Sequence, residues 1–389
     1  MEHMKKEVYS IYPVSVEALK EERYERTRRM MAEQGLDVIL TFSFASISQR
    51  ANVRFLTNYA PTTRYAGVVF PKEGDPVLLV PYPVHVGWAR QTTWVEDIRL
   101  TSDFLHEIEA ILKERGYDKG HIGLVGQVGH PVDMMPPAFH SELRQLLPQA
   151  RIENAAEPFS QMRVVKSPDE LKLVSKSSEI ADEVFKKLPS ILKPGLKQHE
   201  LVAEAEYTLR KQGAEYVLVL VGTAGMSSHP AVLPRPFEKG DVIAFSVEVA
   251  GPGGYWIQTV RTLSLGEPSS KVREAVELCT RTQEQVASDL MPGRPIGEAC
   301  KAGEKLLLEG KAIKESDLPR FFGHGMGLDL GIGPRIRSDN PEILQTGSVI
   351  AIHPSFLLDG QQIFTGDLYL VEEGGLKKYS KIPGGIMVL

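Results

Sequence analysis

The sequence predicts a two-domain fold, an α/β domain over residues 1–158 followed by an α+β domain over residues 159–389. Three observations carry that expectation. The chain has 389 residues, enough for two domains at roughly 100–200 residues each. Its first half alternates helical and strand-like periodicity, as helices flanking a sheet require. Its second half sets long amphipathic stretches against β-branched runs separated by turns, the pattern of helices packed on a largely antiparallel sheet.

The elements follow in order. Val16 to Gln34 is charged, carries apolar residues near every third or fourth position, and is closed by Gly35, so it reads as a helix. Residues 38–41, 67–70 and 76–81 are short apolar runs between turn residues and read as strands. Residues 104–115 form a helical pattern ending at Gly116, and a strand follows at 121–126. The second domain opens with clear punctuation: Ser167 suits an N-cap, Pro168 the first helical position, and Glu170 completes a capping box. Leu171, Val174, Ser178, Ala181 and Phe185 continue at helical spacing. Further helices are expected over 199–213 and 271–290, and strands over 216–221, 241–249, 259–265, 349–353 and 367–371.

Composition excludes several classes. With 45 basic and 50 acidic side chains the net charge is −5, and no Lys/Arg cluster suggests a nucleic-acid partner. No run approaches the ~18 apolar residues of a membrane span, and Met1 to Lys6 shows no apolar core of a secretory leader. Two cysteines, Cys279 and Cys300, cannot make a disulfide framework or a CxxC zinc site. The expectation is a soluble, cytoplasmic protein that binds neither nucleic acid nor membrane.

Five segments then stand out: the stretch from Met162 through Lys166-Ser-Pro-Asp-Glu-Leu; Lys239-Gly-Asp-Val-Ile; Gly254-Tyr-Trp-Ile-Gln-Thr-Val-Arg-Thr; Gly323-His-Gly-Met-Gly; and Gly347-Ser-Val-Ile-Ala-Ile-His-Pro. Together, and in this order, they resemble the creatinase / prolidase / aminopeptidase P family. That resemblance implies a pita-bread C-terminal domain preceded by a creatinase-type N-terminal domain. It also implies a homodimer whose N-terminal domain completes the neighbour's pocket.

The peptidases of that family hold two metal ions through two Asp, one His and two Glu. Carried over by motif and spacing, with the first Asp eleven residues before the second, those positions are Val247, Gln258, His324, His353 and Thr365. Hard divalent ions need anionic oxygens, so this reading expects no metal and no cofactor. Glu248, adjacent to Val247 on a strand, is expected on the opposite face. Resemblance to creatinase, the family's metal-free enzyme, places His229 at its proton-shuttling His and matches Arg64 and Arg335 to its two carboxylate-binding arginines.

The function expected on this basis is a metal-independent hydrolase of a non-peptide C–N bond in a small carboxylate-bearing substrate. His229 acts as general base and acid, since imidazole titrates near neutrality. His324 and His353, with Gln258, orient the substrate and stabilise the oxyanion. Arg64 from the partner subunit and Arg335 clamp the carboxylate, and Tyr255 and Trp256 wall the pocket. Two alternatives stay open: a non-catalytic binding protein on this fold, and a mononuclear site in which the three histidines hold a metal for hydrolysis or elimination.

Overall fold

The computed structural model describes residues 9–47, 49–126, 137–230, 233–310 and 313–389. The segment Met1 to Lys6, read above for a leader, lies outside them. The chain divides into two units, residues 1–163 and 164–389. No helix among the described residues is long and apolar enough to cross a membrane.

The first unit contains α1 (Val16–Gln34), β1 (Val38–Phe44), α2 (Ala51–Thr57), β2 (Tyr65–Pro71), β3 (Val77–Val80) and α3 (Pro83–Thr92). It continues with β4 (Asp97–Leu100), α4 (Phe104–Glu114), β5 (His121–Val125), α5 (Pro137–Leu146), β6 (Arg151–Asn154) and α6 (Ala156–Met162). The six strands form one sheet in the order β4-β3-β2-β1-β5-β6. Central β1 pairs antiparallel with β2 and parallel with β5. Two-sided burial explains its unbroken apolar start. Phe104, Ile108, Ile111 and Leu112 line one stripe of α4 and close the core over Val38, Leu40 and Ile122. Helix α3 has no counterpart in the sequence reading, because only His85 and Ala89 of it are buried and no apolar stripe marks it.

The second unit contains α7 (Pro168–Ile191), α8 (Gln198–Lys211), β7 (Tyr216–Thr223), β8 (Met226–His229), β9 (Val242–Ala250), β10 (Trp256–Ser264), α9 (Ser270–Asp289) and α10 (Ile296–Glu309). Strands β11 (Gly323–Gly325), β12 (Ile332–Ile336), β13 (Val349–Ile352), β14 (Ser355–Leu358), β15 (Gln361–Phe364), β16 (Asp367–Glu372), β17 (Gly375–Lys378) and β18 (Met387–Val388) complete it. The expected capping box is present: Ser167 Oγ accepts from the Glu170 amide and the Glu170 carboxylate accepts from the Ser167 amide. Two five-stranded sheets, β18-β10-β9-β7-β8 and β12-β11-β13-β16-β17, meet where Val260 and Gly366 exchange backbone hydrogen bonds of 2.9 and 3.1 Å. Fully buried Arg261 locks that junction, pairing with Asp367 at 2.8 Å and donating to the carbonyls of Gly366, Ile382 and Pro383. The junction holds the candidate site.

Candidate functional site

The β9–β10 hairpin sets the first side chains. Its register pairs Gln258 with Glu248 and Val260 with Ser246. Side chains alternate along strands, so Ser246, Glu248, Gln258 and Val260 share one face and Val247 takes the other. This corrects the sequence-based placement. The spacing of eleven assigns Val247 to the position facing Gln258, but the tight turn at residues 251–254, with Gly253 and Gly254 at positive φ, pairs residues ten apart. Glu248 therefore lies on the site face. It is buried, and its Oε1 accepts from Gln258 Nε2 at 3.0 Å and from Ser246 Oγ at 3.3 Å. Burial pushes its carboxyl up to about 7, against the lowering effect of the Ser246 hydroxyl. Gln258 is 5% exposed, and its Oε1 has no hydrogen-bond partner.

The second sheet contributes two histidines. His324 lies on β11, opposite Ala351 of β13, and His353 follows β13. Their rings cross at 68° with centroids 5.0 Å apart. His324 Nδ1 donates to the Gly325 carbonyl at 3.0 Å, leaving Nε2 as the free lone pair of the neutral ring. His353 is 8% exposed, and its Nε2 has no partner. Phe321 and Phe364 meet its ring edge to face. Burial, then the Arg335 charge, pushes His324 down to about 4. His353 falls to about 3 through burial, then the charges of His324 and Arg335. Both rings are thus neutral at pH 7. Arg335 is exposed on β12 and pairs with His324 across the sheet.

Strand β10 connects the two groups. The Trp256 amide donates to the Gly327 carbonyl just beyond β11, and Val260 bridges to Gly366. A Cβ on Gly366 would stand 2.5 Å from His353 Cβ, so His353 packs directly over that bridge. Gln258 lies between these two tethers.

The remaining expected residues have the following partners. The Tyr255 hydroxyl is committed to the Glu170 carboxylate at the start of α7. Trp256 is 1% exposed and stacks on Tyr216, 6.3 Å between centroids, as core. His229 ends edge strand β8 with Nε2 2.9 Å from Met226 Sδ. Thr365 is buried and donates to Gln283 Oε1 at 3.1 Å. Arg64 belongs to the first unit, at positive φ, with its guanidinium 5.8 Å from the Tyr82 ring centroid. The three-histidine metal site is not formed: among the described residues no three His, Cys, Asp or Glu side chains are grouped to hold a metal ion.

The profile of metallopeptidase family M24 matches residues 172–373, and that of the creatinase/prolidase N-terminal domain matches residues 23–165. The chain belongs to family M24. Among its relatives, the Xaa-Pro dipeptidase of Pyrococcus horikoshii is 22% identical over 371 residues, covering 92% of this chain and 97% of that protein. The Xaa-Pro dipeptidase of Pyrococcus furiosus is 23% identical, covering 92% and 98%. Among solved structures, the X-Pro aminopeptidase of Thermotoga maritima superposes with a TM-score of 0.84 at 22% identity, covering 94% of this chain and 99% of that one. The pita-bread domain behind a creatinase-type domain is thereby shown.

These relatives overturn the functional expectation. A metal-independent hydrolase of a non-peptide C–N bond, standing outside the metallopeptidases, is not what this M24 chain resembles from end to end; two relatives matched over nearly their full length are named Xaa-Pro dipeptidases. The donor set itself stays unusual. Two adjacent divalent ions need several carboxylates to bridge them and balance charge. The candidate positions bring one buried carboxylate, Glu248, with Gln258, two neutral imidazoles and Thr365, whose hydroxyl is already used. These residues do not fit a two-ion centre, and no chemical step is derived through one.

Proposed function

We propose that this M24 chain takes short peptides of the Xaa-Pro type, with the peptide bond lying over the His324–His353 pair. The observation that carries this reading is the pair itself. Two neutral, crossed imidazoles lie at the sheet junction where β10, the strand that carries the unpartnered Oε1 of Gln258, bridges to Gly366, in a chain similar over nine-tenths of its length to Xaa-Pro dipeptidases. The exposed Arg335 guanidinium, opposite His324, suits the substrate carboxylate. The aromatic edges of Phe321 and Phe364 around His353 suit an apolar proline ring.

The working unit in this reading is a homodimer. Tyr82, Val84 and Trp88 present 45%, 73% and 43% of their surface at and along α3, an apolar group that a second copy covers, with Arg64 beside Tyr82. We also place the chain in the cytoplasm, in keeping with two free, buried cysteines. The test is release of proline from Ala-Pro and Leu-Pro, assayed with and without added Mn²⁺ and paired with calorimetric binding of the same dipeptides. Binding and turnover support the reading. An Xaa-Pro panel that is neither bound nor cleaved under any of these conditions refutes it.

A further inference from the structure

We infer that Glu248 is a positioning residue: it holds the Gln258 amide so that Gln258 Oε1, together with His353 Nε2, selects a ligand group that carries N–H donors. The inference rests on the dipeptide reading for the ligand's identity, and it names the group recognised, the free α-amine.

Glu248 and Gln258 are direct cross-strand partners, so their side chains meet without rearrangement. Gln258 Nε2 donates to Glu248 Oε1 at 3.0 Å and reaches Ser246 Oγ at 3.4 Å. An amide has one donor end and one acceptor end. Once Glu248 has lost its proton, above about pH 7, turning it over would set Oε1 against a carboxylate oxygen and separate the NH₂ group from both acceptors. Glu248 therefore decides which end faces away from it, and that end is an acceptor.

That acceptor is unpaired and nine-tenths buried, as is His353 Nε2. A buried polar atom without a partner costs about 1–3 kcal/mol, so two beside one sheet junction call for a ligand that supplies both bonds. The backbone places them in one neighbourhood, since His353 packs on Gly366, which bridges Val260, two residues along the same face from Gln258. The buried charge beside Gln258 has the sign an ammonium needs. Glu248 is the acidic group and the exposed Arg335 the basic one, paired across the sheet with His324, and burial keeps both imidazoles neutral, so neither ring repels a cation. Besides Ser246 of its own strand, Glu248 is coupled across to β10, to a side chain whose other end is left open.

Calorimetry at pH 8, where Glu248 is ionised, with Ala-Pro and with propionyl-proline, which is the same molecule without the amine, tests this. A charge-assisted hydrogen bond is worth about 1.5–3 kcal/mol, so the wild type should bind Ala-Pro at least about tenfold more tightly. Glu248→Gln frees the amide to adopt either orientation, and the preference should fall to within about threefold, with propionyl-proline affinity unchanged. Gln258→Met removes the acceptor by a near-isosteric route and should do the same if Glu248→Gln fails to fold. A preference near one in the wild type, or one that survives in both variants, overturns the inference. If neither compound binds the wild type, the dipeptide reading fails. The orientation is then decided without ligand by the ¹⁵N–¹H signals of the Gln258 side-chain amide. A carboxylate-bound signal that moves in Glu248→Gln upholds Glu248 as the positioning residue, and one that does not move overturns it.

Discussion

Replacing Glu248 by Gln should stabilise the second unit at alkaline pH and do little near pH 4. The Glu248 carboxyl is raised from an ordinary 4.5 to about 7 by burial. Between those values the unfolded chain has released the proton while the folded chain keeps it, so unfolding releases a proton and stability falls as pH rises. At about 1.4 kcal/mol per tenfold change in proton affinity, the full penalty above pH 7 is about 3 kcal/mol. The substituted amide does not titrate and carries no such penalty. The variant should therefore gain about 2–3 kcal/mol on the wild type between pH 5 and pH 8. The assay is urea unfolding at both values. Trp88→Phe and Trp94→Phe in the background would leave Trp256 as the one fluorophore of the chain's three tryptophans, reporting the second unit alone. A stability difference that is the same at both pH values, or that favours the wild type at pH 8, would refute the burial argument.

Three further outcomes are expected. The two histidines titrate in the opposite sense: their folded pKa values lie near 4 and 3, below the ordinary 6.5, so the stability they permit is present above pH 6.5 and lost as pH falls through 4. Substituting His353 by Gln should flatten the acid limb of a stability-against-pH curve, and an unchanged limb would contradict the assignment. Arg261→Met should destabilise by about 3–5 kcal/mol, because it removes one of the two cations on buried Asp367 and the donors to three buried carbonyls while Lys378 and Gln283 stay on the carboxylate; denaturant melts measure the loss. Gln258→Asp sets a second carboxylate beside Glu248 and should enlarge the Mn²⁺-induced thermal shift over wild type; no gain would show that missing carboxylates do not limit metal binding here.

Much of the scaffold is legible because local chemistry specifies it. The Ser167–Glu170 capping box marks the start of α7 by itself, and Gly35, at positive φ, ends α1. Strands β9 and β10 show their burial in continuous apolar and β-branched runs. Helix α10 is hidden in the sequence because Gly297 and Gly303 lower its apparent propensity. Gly303 is there for packing, since a Cβ would lie 2.5 Å from Val286 on α9. The site is legible in its residue types but not in its register. His324, His353 and Gln258 stand out by motif, yet a one-residue difference in a glycine-rich turn exchanges the faces of a strand, and this hides Glu248. The committed hydroxyl of Tyr255 depends on a contact with a residue 85 positions away, which no local pattern encodes.

In the proposed function the β9–β10 hairpin and the His324–His353 pair form a site for an Xaa-Pro dipeptide. The most direct measurement is a crystal structure of the protein soaked with Ala-Pro. The dipeptide is expected at the sheet junction, its amine within hydrogen-bond distance of Gln258 Oε1 and His353 Nε2 and its carboxylate on Arg335. Dipeptide density elsewhere, or a reversed ligand with its carboxylate against Glu248, would contradict it.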